Sequence, residues 1–182
     1  YRWIFLSLAG ITVLAGGAAL GLLVVTRIVE RPTADFAFAA DDLSNGGFST
    51  FETQIREARS EILLCAGQLS SANLLKSLKI AQEKGVTIKI VLDGGDKPDL
   101  RRGAIGFIRA NKIGELRLTK YPLYDQFLVI DGTRLFFTSA PWTAAAAGKN
   151  AEASVFFLQQ KGAANMARKL FERRYAASEQ VL

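Results

Sequence analysis

The chain contains no histidine among its 182 residues. Imidazole nucleophiles and general bases, histidine-held metals and histidine-ligated haem or chlorophyll are therefore excluded within this polypeptide. Cysteine occurs once, as Cys65. No intrachain disulfide and no cysteine cluster for zinc or iron–sulfur can form. Neither sign of charge dominates: 23 Lys and Arg stand against 17 Asp and Glu, a formal net charge of +6. Hydrophobic residues make up 49% and mean hydropathy is +0.17. That is high for a domain bathed in water and low for a chain of many membrane spans, and it excludes disorder as a description of the whole.

The longest uncharged stretch lies at the start. Trp3 to Thr26 carries no charge, with Arg2 before it and Arg27, Glu30 and Arg31 after it. At about 1.5 Å per residue, such a helix crosses a hydrocarbon core about 30 Å thick with some tilt. Pro32 stops it, and Tyr1 and Trp3 stand where interfacial aromatics belong. A retained transmembrane helix over residues 1–31 is the expectation. A cleaved signal peptide fits poorly, because the run exceeds an h-region. Basic residues flank both ends, so charge does not assign the rest of the chain to either side of the membrane. Within the run, Gly17 and Gly21 form a GxxxG with Gly10 one turn and more upstream. Small residues there give a neighbouring helix close approach. The alternative is that glycine is simply common in membrane spans.

Residues 32–47 read as a linker, from Pro32, Asp41, Asp42 and Asn45-Gly46-Gly47, with Phe36 and Phe38 able to dock on a domain. Residues 48–182 read as that domain. After Pro32 the chain holds 20 basic and 16 acidic residues, scattered apart from pairs such as Arg173-Arg174. This is no nucleic-acid stripe, although a tethered basic domain gains some attraction to anionic headgroups.

Hydrophobic period alternates between helix and strand. Ser49 or Thr50 can cap a helix running to Arg59. Glu61–Ala66 reads as a buried strand, Ser71–Lys84 as an amphipathic helix ended by Gly85, and Val86–Asp93 as a second strand. Pro98 fits the first turn of a helix to about Asn111. Further strands are expected at Leu116–Lys120, Phe127–Asp131, Leu135–Ser139 and Ser154–Leu158, with Asp131-Gly132 as a hairpin turn. Ala163–Ala177 closes the chain as a helix. This order implies an α/β sandwich with a mixed sheet covered on both faces.

That order, with Gly85-Val86-Thr87-Ile88-Lys89-Ile90-Val91-Leu92-Asp93 as its second strand, resembles the phospholipase D superfamily, in particular its small single-motif members, the bacterial endonuclease type and the mitochondrial membrane-anchored type, the latter also carrying an N-terminal span. The likeness runs from Phe48 to Ala177 and is most specific in Tyr124–Gly132, Phe137-Thr138-Ser139 and Asn150-Ala151-Glu152. The family signature is H-x-K-x4-D-G, then G-S-x-N, then N-x-E. Here Tyr124 stands at the histidine, Gln126 at the lysine, Thr138 at the glycine and Pro141 at the asparagine. Asp131, Gly132, Ser139, Asn150 and Glu152 are kept. The resemblance implies attack on phosphorus by imidazole, with lysine and asparagine steadying the phosphate oxygens. Tyrosine, with a pKa of about 10, does not replace imidazole near neutrality, glutamine carries no charge and proline has no donor. Catalysis by this route is expected to be absent.

The remaining polar residues read more simply as structure. Asp131 is expected to cap the hairpin rather than act as a relic of catalysis. Ser139 has no evident base, and Glu152 is expected to pair with Arg134 or Lys149. Cys65 is expected to be an inert core thiol. Asp93, Asp96 and Asp99 read as a solvated turn in preference to a divalent-ion site. Pro141 and Trp142 lie where the family has its active-site mouth and form a candidate contact loop. No metal or cofactor is expected. The function expected is a single-span accessory subunit of a membrane complex, bioenergetic or photosynthetic assemblies among the candidates. Its partners would be neighbouring spans through the helix, other subunits through the domain surface, membrane lipids, or a second copy, with nucleic acid disfavoured. The alternative is a tethered module that binds lipid or nucleic-acid phosphates.

Overall fold

The computed structural model describes residues 33–38, 49–95, 103–139, 141–143 and 154–181. The chain divides after Pro32 into two compact units. The expected span, with Gly10, Gly17 and Gly21, lies outside the described residues. Among the described residues no helix is long and apolar enough to cross a membrane.

The elements are β1 (Thr33–Phe38), α1 (Ser49–Arg56), β2 (Glu61–Ala66), α2 (Ala72–Glu83), β3 (Thr87–Asp93), α3 (Gly103–Ala110), β4 (Glu115–Thr119), β5 (Gln126–Ile130), β6 (Arg134–Thr138), β7 (Ser154–Gln159), α4 (Lys161–Ala176) and β8 (Glu179–Gln180). Among the described residues they build one sheet in the order β1-β7-β6-β5-β2-β3-β4-β8. Only β2–β3 and β3–β4 pair in parallel, each joined by a helical crossover. The sheet is mixed, as expected.

The period of two along β2 explains its continuous apolar run. Ile62, Leu64 and Ala66 join a core with Phe51, Leu78 and Ile108 from α1, α2 and α3. Leu63 and Cys65 face the opposite core, where α4 contributes Ala164 and Phe171. A strand buried on both faces cannot show a polar alternation. Each such Leu or Ile removed from water stabilises the fold by roughly 1.5–3 kcal/mol.

Local signals set the helix ends. Ser71 caps α2, its Oγ accepting from the Leu74 amide at 3.3 Å. Gly85, at φ +86°, ends it, with Gly85 N–H donating to Gln82 and Val86 N–H to Ala81. That is a Schellman motif, and glycine suits its left-handed position. The same pair of bonds closes α3, from Lys112 to Arg109 and from Ile113 to Ile108, but Lys112 occupies the left-handed position at φ +51°.

Three elements depart from the pattern expected of the sequence, one being the short strand β8, which pairs with β4 beyond the helix expected to close the chain. Thr33–Phe38, inside the expected linker, is an edge strand antiparallel to β7, with Phe36 opposite Phe156. Its alternating apolar residues are those of a strand, and the partner lies more than a hundred residues downstream. Helix α1 stops at Arg56 rather than Arg59. The amides of Arg59, Ser60 and Glu61 are drawn to the Asp131 carboxylate instead.

Candidate functional site

Parallel β2 and β3 end side by side: Ala66 pairs with Leu92, and Asp93 is the next residue of β3. Crevices beyond the carboxyl ends of such strands are the usual ligand positions in open α/β sheets. A cleft of about 300 Å³ opens there, lined by Gly67, Gln68, Asp93, Leu123, Tyr124, Gln126, Ser139 and Pro141. A second cavity of about 360 Å³ adjoins it, sharing Gly67, Gln68 and Asp93.

Each wall has a local cause. Gly67 leaves β2 with its amide donating to the Asp125 carbonyl at 3.2 Å. A Cβ on Gly67 would sit 2.1 Å from the Leu123 carbonyl oxygen, so only glycine lets the two loops approach this closely. Asp93 ties the same loops from the β3 side: its Oδ1 accepts from Gly95 N–H at 2.7 Å and its Oδ2 from Leu123 N–H at 3.0 Å. Tyr124 stands on the rim, 88% exposed. Gln126 begins β5 opposite Ala66. Among the described residues its buried Oε1 has no hydrogen-bond partner.

Four family-motif positions thus converge: Tyr124, Gln126, Ser139 and Pro141 line one cleft. Asp131 does not. It lies beyond the far end of β5, about 17 Å along the strand from Gln126 at 3.3–3.4 Å per residue. There its carboxylate accepts from the amides of Arg59, Ser60 and Glu61 at 2.8–3.2 Å and from Ser60 Oγ at 2.9 Å. Arg134 pairs with it at 2.5 Å. Burial alone would raise its pKa, but the bonds from Ser60, Arg59 and Glu61 prevail and lower it to about 2. Asp131 also turns the hairpin, at φ +52°, with Gly132 at +65°. The pair of positive angles is that of a type I′ turn.

Other expectations sort accordingly. Arg134 is engaged by Asp131 and by Gln54 Oε1 at 2.6 Å, while Glu152, Lys149 and Asn150 lie outside the described residues. Cys65 is fully buried, and burial, with the Asp125 charge adding to it and Arg174 opposing, pushes its thiol up to about 12. Trp142 is not a contact residue: it is 2% exposed and packs on Phe51 with ring centroids 5.8 Å apart. Its backbone is held by Gln68, Ser70 and Ser71, which turns the indole inward. Pro141 stays at the cleft. Asp96 and Asp99 lie outside the described residues, and among the described residues no cluster of His, Cys, Asp or Glu could hold a metal ion. Gly67 and Gln68 carry no signal in the sequence, because nothing local marks a glycine as a point of close approach.

Chemically, the described lining offers one carboxylate, two side-chain amides, a phenol and a hydroxyl. It contains no basic side chain. Stabilising a phosphorane-like charge requires donors or cations aimed at the oxygens, and transferring the proton requires a base near its working pH. Among the described lining residues there is no imidazole, ammonium or guanidinium.

Comparisons with known proteins agree with this geometry. Residues 51–175 match the family described as "Cardiolipin synthase, PLD-like domain". No curated protein sequence matches the chain. Among solved structures, the fold is similar to Nuc from Salmonella typhimurium, a phospholipase D family member, at 22% identity and a TM-score of 0.70, covering 83% of this chain and 99% of that one. It is similar to NucT from Helicobacter pylori at 13% identity and a TM-score of 0.72, covering 83% and 100%. Phosphatidylserine synthase from Haemophilus influenzae is similar at 10% identity and a TM-score of 0.60, covering 82% and 40%. At these identities the likeness is one of fold.

Proposed function

From a chain that belongs to the phospholipase D superfamily, we propose a protein that has given up phosphodiester chemistry and acts through contact, as a membrane-anchored accessory subunit of a larger assembly. One observation carries the reading. The cleft at the ends of β2 and β3 holds Tyr124, Gln126 and Pro141 where the family signature has imidazole, ammonium and amide, and no histidine exists anywhere in the chain to replace them. The uncharged run from Trp3 to Thr26 supports the anchor, and its small residues support packing against other spans.

Two measurements on the full chain test this. Purified protein should leave bis(p-nitrophenyl) phosphate, a phospholipid and DNA uncleaved. Turnover that disappears in Tyr124→Phe would refute the non-catalytic reading. Extraction of native membranes in mild detergent should bring the chain out in a large, stable particle whose other subunits mass spectrometry identifies. Migration as a lone monomer would refute the accessory role.

A second reading, a tethered module for anionic headgroups, draws support from Lys161, Lys169 and Arg173. All three are exposed on α4 and none lines the cleft. Salt-sensitive binding to vesicles containing phosphatidylglycerol, with none to phosphatidylcholine vesicles, would favour it.

A further inference from the structure

Positive charge in this chain is concentrated on one element. Of the 23 basic and 17 acidic residues, α4 (Lys161–Ala176) holds five and one, which leaves 18 and 16, a near balance, for all the rest. Two of the five are committed to the fold. Arg168 pairs with Glu61, and Arg174 holds Asp125 at 2.8 Å. Lys161, Lys169 and Arg173 are exposed, and none of them has an ion-pair partner among the described residues.

The helix period places these side chains. Ala164 and Phe171 are buried against the sheet, with Ala163, Ala167 and Leu170 packed beside them. At about 100° per residue, Met166, Lys169 and Arg173 share the opposite stripe, about 10 Å long. With Glu172 and Ala176 they line one shallow groove of about 630 Å³. Met166 is 75% exposed. An unbranched apolar side chain thus projects into water beside two uncompensated cations.

That combination fits one kind of surface. A bilayer offers phosphates to the cations and, just beneath them, an apolar layer to the thioether. A nucleic-acid backbone offers the phosphates alone. The uncharged run Trp3–Thr26 supplies the bilayer: six residues, Arg27 to Pro32, connect it to Thr33, where β1 begins. Fully extended, they reach about 20 Å.

We propose that the outward stripe of α4 docks the domain on an anionic bilayer, with Lys169 and Arg173 on lipid phosphates and Met166 below them. The inference rests on the anchored reading, and it gives the headgroup reading a location and an orientation. The α4 side of the sheet faces lipid, and the side covered by α2 and α3 faces away. Glu172 opposes docking from within the same groove.

The test uses the full chain in nanodiscs with a bimane label on Ala176→Cys, a groove position. The native thiol, Cys65, is fully buried and does not compete for the label. Doxyl-labelled phosphatidylcholine quenches the label where it meets lipid. With a third of the lipid as phosphatidylglycerol, quenching should be strong, and it should fall away in phosphatidylcholine alone or at about 0.5 M salt. Lys169→Gln and Arg173→Gln should each lower the docked-to-free ratio about fivefold. Met166→Ala should lower it about two- to fourfold, and Glu172→Gln should raise it. Lys76→Gln, exposed on α2 across the sheet, should leave it unchanged. Each of these side chains is exposed, so the fold should survive every substitution. Equal quenching in neutral and anionic nanodiscs, no quenching in either, or a Lys76→Gln effect as large as that of Lys169→Gln would each overturn the proposal. A duplex-DNA gel shift lost in the Lys169→Gln, Arg173→Gln double variant, with no quenching in anionic nanodiscs, would give the stripe to nucleic acid instead. Alkaline carbonate separates the inference from the reading beneath it. A chain that stays in the membrane with its label unquenched sinks the inference alone, whereas a chain that carbonate strips away sinks the anchor and the proposal with it.

Discussion

Asp131 offers the sharpest test of the division between fold and site, because it is the motif residue the chain keeps and the one the structure removes from the cleft. Its folded pKa of about 2 lies below the ordinary 3.8. At 1.36 kcal/mol per unit this corresponds to about 2 kcal/mol, and partial solvent screening lowers the figure to about 1–2 kcal/mol. The sign comes from linkage. The native state favours the charged form, so the contribution is complete above the unfolded pKa of about 4 and is lost as pH falls through about 2. Asn tolerates the left-handed backbone at this position and keeps one acceptor, so Asp131→Asn isolates the charge. Urea unfolding of the full chain in detergent at pH 7 should show Asp131→Asn less stable by about 1–2 kcal/mol, a loss of roughly 3–8 °C in Tm. The gap should narrow between pH 4 and pH 2 and close below it. Asp131→Ala should cost about 1 kcal/mol more at every pH, because alanine resists the positive φ. A gap that persists unchanged to pH 2 would refute the hydrogen-bonded clamp. Unaltered stability of Asp131→Asn at pH 7 would refute it equally.

Three other positions give measurable outcomes. Gly67→Ala should destabilise by about 2–4 kcal/mol in denaturant unfolding, since the added Cβ meets the Leu123 carbonyl oxygen at 2.1 Å and backbone must move; wild-type stability would show that the two loops are not fixed in contact. Lys112→Gly should stabilise by about 1 kcal/mol by relieving the left-handed residue that ends α3, and a loss of stability would show that the lysine makes contacts worth more than its backbone strain. Cys65, its thiol held near pKa 12 by burial, should resist iodoacetamide at pH 8 and label only at the rate of unfolding; rapid labelling of the folded chain would contradict the packing of β2 against α4.

Most elements were legible because their causes are local. Ser71 and Gly85 bracket α2 by capping chemistry that nearby residues supply. Asp131-Gly132 announces a hairpin because few other pairs accept two positive φ values. The substitution of Tyr124, Gln126 and Pro141 for reactive groups was legible from motif spacing alone, as was the absence of any imidazole. The burial of Cys65 was readable from the apolar run around it.

Contact over long separations stayed hidden. The strand Thr33–Phe38 looked like a linker because a six-residue edge strand declares itself only through its partner, and β7 lies far along the chain. Trp142 looked like a contact residue because a tryptophan in a Pro- and Ala-rich loop carries no mark of the Phe51 ring on which it packs. The carboxylates of Asp93 and Asp131 sit in similar turn sequences, yet one faces the cleft and the other binds the segment before β2. The order of amino acids was enough to settle which chemical groups this protein lacks and where most of its helices and strands begin. Which residues meet was fixed by the folded chain, because a side chain's neighbours are set by how strands pair over its whole length, and that pairing leaves no trace in the residues beside it.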